Sequence, residues 1–156
     1  VVRDLDRIFT ESDYVSLHAP NTPVTHDLVN RERLSMMKPT AFLINTARGG
    51  LVVEEDLYAA CKNGVIAGAG LDAIRKEPVD PANPLLTLNN VIIYPHIGGN
   101  TSEAAHRASY FAALGVQEVY EGKTPTWPIH DIDYATAPTY TDTKKPNRIP
   151  AGLFDY

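Results

Sequence analysis

Ala41-Phe-Leu-Ile-Asn-Thr-Ala-Arg48-Gly49-Gly50 is the stretch on which the reading of this chain turns. Ala41 to Asn45 forms an apolar run of strand length, the pattern of a parallel strand covered on both faces. It breaks at once into a guanidinium and two glycines. Two later runs break the same way. Val65 to Leu71 leads through Asp72 into a loop holding Glu77-Pro78, and Val91 to Tyr94 leads into Pro95-His96-Ile97-Gly98-Gly99. Ligands of a parallel α/β sheet bind outside the carboxyl ends of its strands. Three such ends would present a fixed cation, a carboxylate and an imidazole to one crevice, a set suited to holding an anion and moving a proton.

Outward from this stretch, strand and helix patterns alternate. Leu5, Ile8 and Phe9 follow Asp4 at helical spacing. Tyr14 to His18 reads as a strand, and Asn21-Thr22-Pro23 as a turn. Asn30 is placed to cap a short helix containing Leu34, Met36 and Met37, which Pro39 ends. Val53 to Lys62 predicts a helix with Leu57, Ala60 and Cys61 inward, stopped by Asn63-Gly64. The glycines of the Val65–Leu71 strand predict close approach of a helix or cofactor. Residues 72 to 84 read as a Pro-rich loop. Thr101 or Ser102 opens a long helix to about Tyr120, with Ala105, Ala108, Phe111, Ala112, Val116 and Val119 as its apolar stripe. The alternation predicts an α/β fold with right-handed crossovers and a parallel sheet. Residues 1–122 form that domain. Residues 123–156, rich in Pro and Tyr and without periodicity, read as an extended tail.

The chain has 156 residues, 44% hydrophobic and 21% charged, with net charge -5. That is one soluble globular domain, and the acidic balance argues against nucleic acid, which demands clustered Lys and Arg. No apolar run approaches the length of a membrane span. The single cysteine, Cys61, cannot form an internal disulfide, and no signal peptide is evident; both fit a cytoplasmic protein. Val1-Val2-Arg3-Asp4 reads as an entry into the middle of a domain.

Each candidate residue has an ordinary alternative. His96 has the one side chain that titrates near neutrality unperturbed, yet a strand-end histidine is more often inert. Glu77 could orient that imidazole, but a glutamate in a loop is usually solvated. Arg48 could clamp a carboxylate bidentately or make a surface ion pair. Asp72 could cap a turn. His26, His106 and His130 lack partners at metal-ligand spacing and read as surface or packing residues, and Cys61 as core. No metal site is predicted. Gly68-Ala-Gly70-Leu-Asp-Ala73 matches a dinucleotide fingerprint only in letters. Its glycines lie inside a strand, and the residues after it cannot open a helix.

Several stretches, in one order, decide between these readings. Asp13-Tyr-Val-Ser-Leu-His-Ala-Pro-Asn-Thr-Pro-Val-Thr25, Ile44-Asn-Thr-Ala-Arg-Gly-Gly50, Gly68-Ala-Gly-Leu-Asp72, Glu77-Pro78 and Pro95-His-Ile-Gly-Gly99 together resemble the nucleotide-binding half of the D-isomer-specific 2-hydroxyacid dehydrogenases, from about Val1 to Glu121. The resemblance implies a Rossmann-like three-layer αβα domain, N-terminally truncated, with its first βαβ units, pyrophosphate loop and ribose-reading acid absent. It implies hydride transfer between NAD and a 2-hydroxy or 2-oxo acid, with NADP not excluded. Catalysis would fall to Arg48 on the substrate carboxylate, His96 as acid/base and Glu77 orienting it. Cofactor contacts would come from His18, Ala19, Pro20, Thr46, Ala47, Arg48, Asp72, His96, Gly98 and Gly99, with Asp72 accepting from the nicotinamide carboxamide. It implies a homodimer for the complete protein, and weak cofactor binding by this piece alone. Two non-enzymatic readings stand beside it: a dinucleotide-binding sensor or corepressor, and an interaction fragment whose tail is the binding element.

Overall fold

The structure is a computed structural model and describes residues 4–127. Asp4 caps the first helix, α1 (Leu5–Glu11), by accepting from the Asp6 amide, and Phe9 is its buried residue. Strand β1 (Tyr14–Leu17) follows. Helix α2 (Arg31–Met36) starts where Asn30 accepts from the Arg33 amide, and it buries Leu34. Strand β2 (Phe42–Asn45) leads through a 3-10 turn at Gly49–Leu51 into α3 (Glu54–Lys62), which buries Leu57, Ala60 and Cys61. Gly64, at φ 68, ends α3 in the left-handed conformation that glycine adopts without steric cost. Strand β3 (Gly68–Leu71), a 3-10 turn at Pro84–Thr87, strand β4 (Val91–Ile93) and helix α4 (Ser102–Tyr120) complete the order.

The four strands are parallel and adjacent in chain order. Val15, Leu43, Ala69 and Val91 lie level across the sheet, as do Leu17, Asn45, Leu71 and Ile93. Helices α1, α2 and α3 bring Phe9, Leu34, Leu57 and Cys61 into one core with this face. Full burial of each large aliphatic or aromatic side chain there contributes about 1.5–3 kcal/mol.

The opposite face carries Tyr14, Phe42, Ile44, Gly70 and Ile92. Tyr14 stacks on Phe42 with ring centroids 5.8 Å apart, while Ile92 is 62% exposed. Here the structure corrects three expectations. Strand β2 is covered on one face, because unbroken right-handed crossovers in chain order send every connecting helix to the same side. The described residues form a parallel four-stranded sheet with flanking helices, the Rossmann-like arrangement expected. The stripe on α4 packs on no described core, and no residue of that helix is buried. Gly68 is small for a different reason from the one expected: a Cβ there would lie 2.2 Å from the Asn90 carbonyl oxygen, so it is the neighbouring strand that approaches. Of the tail expected from residue 123, positions 128–156 lie outside the described residues, as does His130.

Candidate active site

The carboxyl ends of β2, β3 and β4 lie side by side, and the loops leaving them carry Arg48, Glu77 and His96. After β4 the chain turns sharply, with His96 in the left-handed region at φ 56. A non-glycine residue there is held against a cost of order 1–3 kcal/mol. The restraint is Asp72, at the end of β3. Its Oδ1 accepts the Ile97 amide at 2.9 Å and its Oδ2 the Gly98 amide at 2.9 Å. A Cβ at position 98 would lie 2.8 Å from Asp72 Oδ2, so a side chain there would push against the carboxylate that holds the turn.

Thus held, the imidazole meets Glu77. His96 Nδ1 lies 2.8 Å from Glu77 Oε2 and 3.1 Å from Oε1. An ionised carboxylate only accepts, so Nδ1 carries the hydrogen and donates it, which leaves Nε2 as the atom able to take or give a proton. Glu77 is oriented in turn, because its Oε1 accepts the Ile74 amide at 3.2 Å. The hydrogen bond from His96 holds the Glu77 carboxyl below the usual carboxylate range; the Ile74 amide and the nearby charges of His96 and Arg48 act in the same direction. Glu77 is consequently anionic throughout the neutral range.

Arg48 is exposed, and its Nη1 donates to the Ala47 carbonyl at 2.7 Å. Its loop is shaped from below by Asn45, the buried polar residue at the end of β2. Asn45 Nδ2 donates to the carbonyls of Arg48 (3.0 Å) and Ala73 (3.3 Å), and Oδ1 accepts the Ala47 amide at 3.1 Å. This one side chain sets the Arg48 loop against the end of β3. The reading of the sequence passed over Asn45. The signal available was an amide ending an apolar strand, where a side chain must find buried partners. That reading allowed that Asp72 could cap a turn, and the turn it holds is the one after His96.

The other predicted residues spread along the same edge. Thr46, Asp72 and Gly98 border a hollow of about 510 Å³ that also exposes Gly70, Ile92 and Tyr94. A Cβ at Gly70 or Gly99 would meet nothing within 4 Å. His18 stands at the end of β1, its Nε2 2.9 Å from Ser16 Oγ, and no hydrogen bond joins it to the His96 pair. Beside it run Ala19 and Pro20, whose carbonyl accepts from Thr25 Oγ1 at 2.5 Å. A second hollow of about 380 Å³ lies against Glu77 and His96, walled by Ile74, Val79, Leu86 and Ile93. Among the described residues no group of three or more His, Cys, Asp or Glu could hold a metal, and no helix is long and apolar enough to cross a membrane.

Known proteins share this arrangement of elements. Residues 1–98 match the family model of the D-isomer specific 2-hydroxyacid dehydrogenase NAD binding domain. A glyoxylate reductase of Thermofilum pendens is 48% identical over 122 residues, which are 78% of this chain and 36% of that protein. The crystal structure of a D-isomer specific 2-hydroxyacid dehydrogenase from Lactobacillus delbrueckii ssp. bulgaricus, in its NAD complexed form, superimposes with a TM-score of 0.72 at 32% identity, over 78% of this chain and 41% of the other. An NADPH-dependent glyoxylate/hydroxypyruvate reductase from Sinorhizobium meliloti, in complex with citrate, gives 0.73 at 30% identity, over 81% and 39%. The chain thus spans well under half the length of the relatives it matches.

Proposed function

The chain belongs to the D-isomer specific 2-hydroxyacid dehydrogenase family, and from that premise we propose that it carries the substrate clamp and the acid/base pair of an NAD(P)-dependent enzyme that interconverts a 2-hydroxy acid and its 2-oxo acid. The observation that carries the reading is the hydrogen bond from His96 Nδ1 to Glu77 at 2.8 Å. It fixes the imidazole tautomer and turns Nε2 outward from the pair.

A bound nicotinamide dinucleotide would supply the hydride donor or acceptor. The residues present fit its nicotinamide end. Thr46, Asp72 and Gly98 border an open hollow. Asp72, with two amides already bound, keeps acceptor capacity for a carboxamide. His18, Ala19 and Pro20, at the end of the neighbouring strand, would flank the ribose and pyrophosphate. Arg48 would bind the substrate carboxylate and polarise the adjacent carbonyl. His96 Nε2 would give its proton to the carbonyl oxygen in reduction and take it from the hydroxyl in oxidation. Glu77 would stabilise the imidazolium and stay ionised.

The test is oxidation of NADH or NADPH, followed by absorbance, with glyoxylate, pyruvate and hydroxypyruvate. If the 156-residue chain alone shows no turnover, the same substitutions are read in a chimaera in which residues 1–122 replace the matching stretch of the Thermofilum pendens reductase. His96→Ala is expected to lower kcat by about 10²–10⁴-fold. Arg48→Gln is expected to raise KM for the oxo acid more than it lowers kcat. Turnover that survives His96→Ala would overturn the proposal.

A further inference from the structure

Arg48 and Glu77 belong to different loops, yet the chemistry proposed for them needs one fixed spacing. Arg75, which touches neither substrate nor pair, stands where it can set that spacing. It lies in the loop after β3, between Ile74, whose amide Glu77 binds, and Glu77 itself. Its backbone amide donates to Glu54 Oε1 at 2.6 Å, in the first turn of α3. Its Nε donates to the Val52 carbonyl at 2.7 Å, just beyond the Arg48–Gly49–Gly50 turn. Its Nη2 is bonded to Asp27 Oδ1 in the loop after β1.

Each anchor is itself committed. Asp27, in the left-handed region at φ 56, donates its amide to the Gly50 carbonyl at 2.9 Å. Glu54 Oε2 accepts from Asn83 Nδ2 at 3.0 Å, beyond the Glu77 loop. Below the guanidinium the two site loops touch directly. A Cβ on Gly49 would lie 2.0 Å from the Ile74 carbonyl carbon, so the Arg48 turn rests its backbone on the Glu77 loop. An exposed ion pair alone contributes little. A planar fork that binds a main-chain carbonyl and a carboxylate of two different loops constrains geometry as well as charge.

The geometry points to Arg75 as a positioning residue: it fastens the loops after β1, β2 and β3 together and so couples the placement of Arg48 to that of the Glu77–His96 pair. This rests on the function proposed for those three residues, but its test requires no turnover.

The experiment is NMR on the 156-residue chain, reading the Glu77 carboxylate titration and the exchange of the Leu51 and Val52 amides. In the unaltered chain Glu77 should titrate below the ordinary carboxylate range; if it does not, the pair and the function proposed from it fail, whatever Arg75 does. In Arg75→Gln the Glu77 titration should move back toward the ordinary range, and exchange at Leu51 and Val52 should quicken at least several-fold, both in a chain whose circular dichroism is unchanged. Lys76→Gln, next door and bonded among the described residues only to Asp80, should change neither. If Arg75→Gln does not fold, Asp27→Asn, which spares the Val52 and Glu54 bonds, is read instead and should move both signals part of the way. Unchanged signals at both places, or a change confined to one loop, would overturn the coupling and leave Arg75 a surface ion pair.

Discussion

The two faces of the sheet are built from alternate residues of the same four strands, and they have opposite environments. On one, Val15 and Leu43 are buried beneath three helices. On the other, Phe42 and Ile92, equally apolar, are open. Hydrophobicity alone does not separate them; the sense of the crossovers does, because strands taken in order send every helix to one side. The covered face therefore holds the fold. The open face runs up into the hollow bordered by Thr46, Asp72 and Gly98. Architecture and proposed chemistry have been assigned to opposite sides of one sheet, and they meet only at its carboxyl edge.

Substitutions can break or sharpen that contrast. The largest effect is expected from Leu43→Ala on the covered face, a loss of about 2–5 kcal/mol in denaturant unfolding. Cys61 should report the same face through pH. Burial pushes its thiol from 9.0 up to about 11. The folded chain holds this proton more tightly than the unfolded one. The stabilisation is therefore complete below pH 9 and drains away toward pH 11, by about 2–3 kcal/mol. The difference in unfolding free energy between the unaltered chain and Cys61→Ala should show this slope, and a difference flat in pH would refute it. Asn45→Ala, where the covered face reaches the edge, should cost about 1–3 kcal/mol by leaving the Ala73 carbonyl and the Ala47 amide unpaired. It should also free the Arg48 loop, seen as faster exchange of the Ala47 amide. On the open-face side of the same edge, Asp72→Ala should cost only about 1–2 kcal/mol. It should nonetheless lengthen the His96–Glu77 contact, read from the Nδ1 proton resonance. The smallest effect should come from Ile92→Thr, within about 0.5 kcal/mol. A cost as large as that of Leu43→Ala would mean the second face is covered in solution.

The covered face was legible in the sequence because periodicity encodes it. Leu57, Ala60 and Cys61 on α3, and the cap Asn30, follow from spacing and from the chemistry of orphan amides at helix starts. The length of α4 was readable too, from Thr101 to Tyr120, but its surroundings were not. An apolar stripe announces that a helix is made to be covered and says nothing of what covers it. At the edge, the resemblance picked out Arg48, Glu77 and His96, and the structure places Glu77 within hydrogen-bond reach of His96. Of the residues that hold them, Asp72 was named only as a possible turn cap, and Asn45 and Arg75 were hidden. Asn45, Asp72 and Arg75 each bind main chain that lies far along the sequence, and a bond between a side chain and a distant amide leaves no period. The strand-interior glycines show the same limit. Gly68 was correctly seen as a place of close approach, but the approaching group, the Asn90 carbonyl, belongs to the next strand.

The strict order β1, β2, β3, β4 has a consequence for how the molecule comes into being. Each strand finds its partner roughly 25 residues further on, so each pairing closes a loop of nearly the same modest entropic cost. Among the described strands, none must wait for a partner from the far end of the sheet. As the chain leaves the ribosome, β2 can settle on β1 with α2 already beneath it, then β3 on β2, then β4 on β3, one layer of chain at a time. The edge that carries Arg48, Glu77 and His96 is finished only when the last of these, β4, has docked.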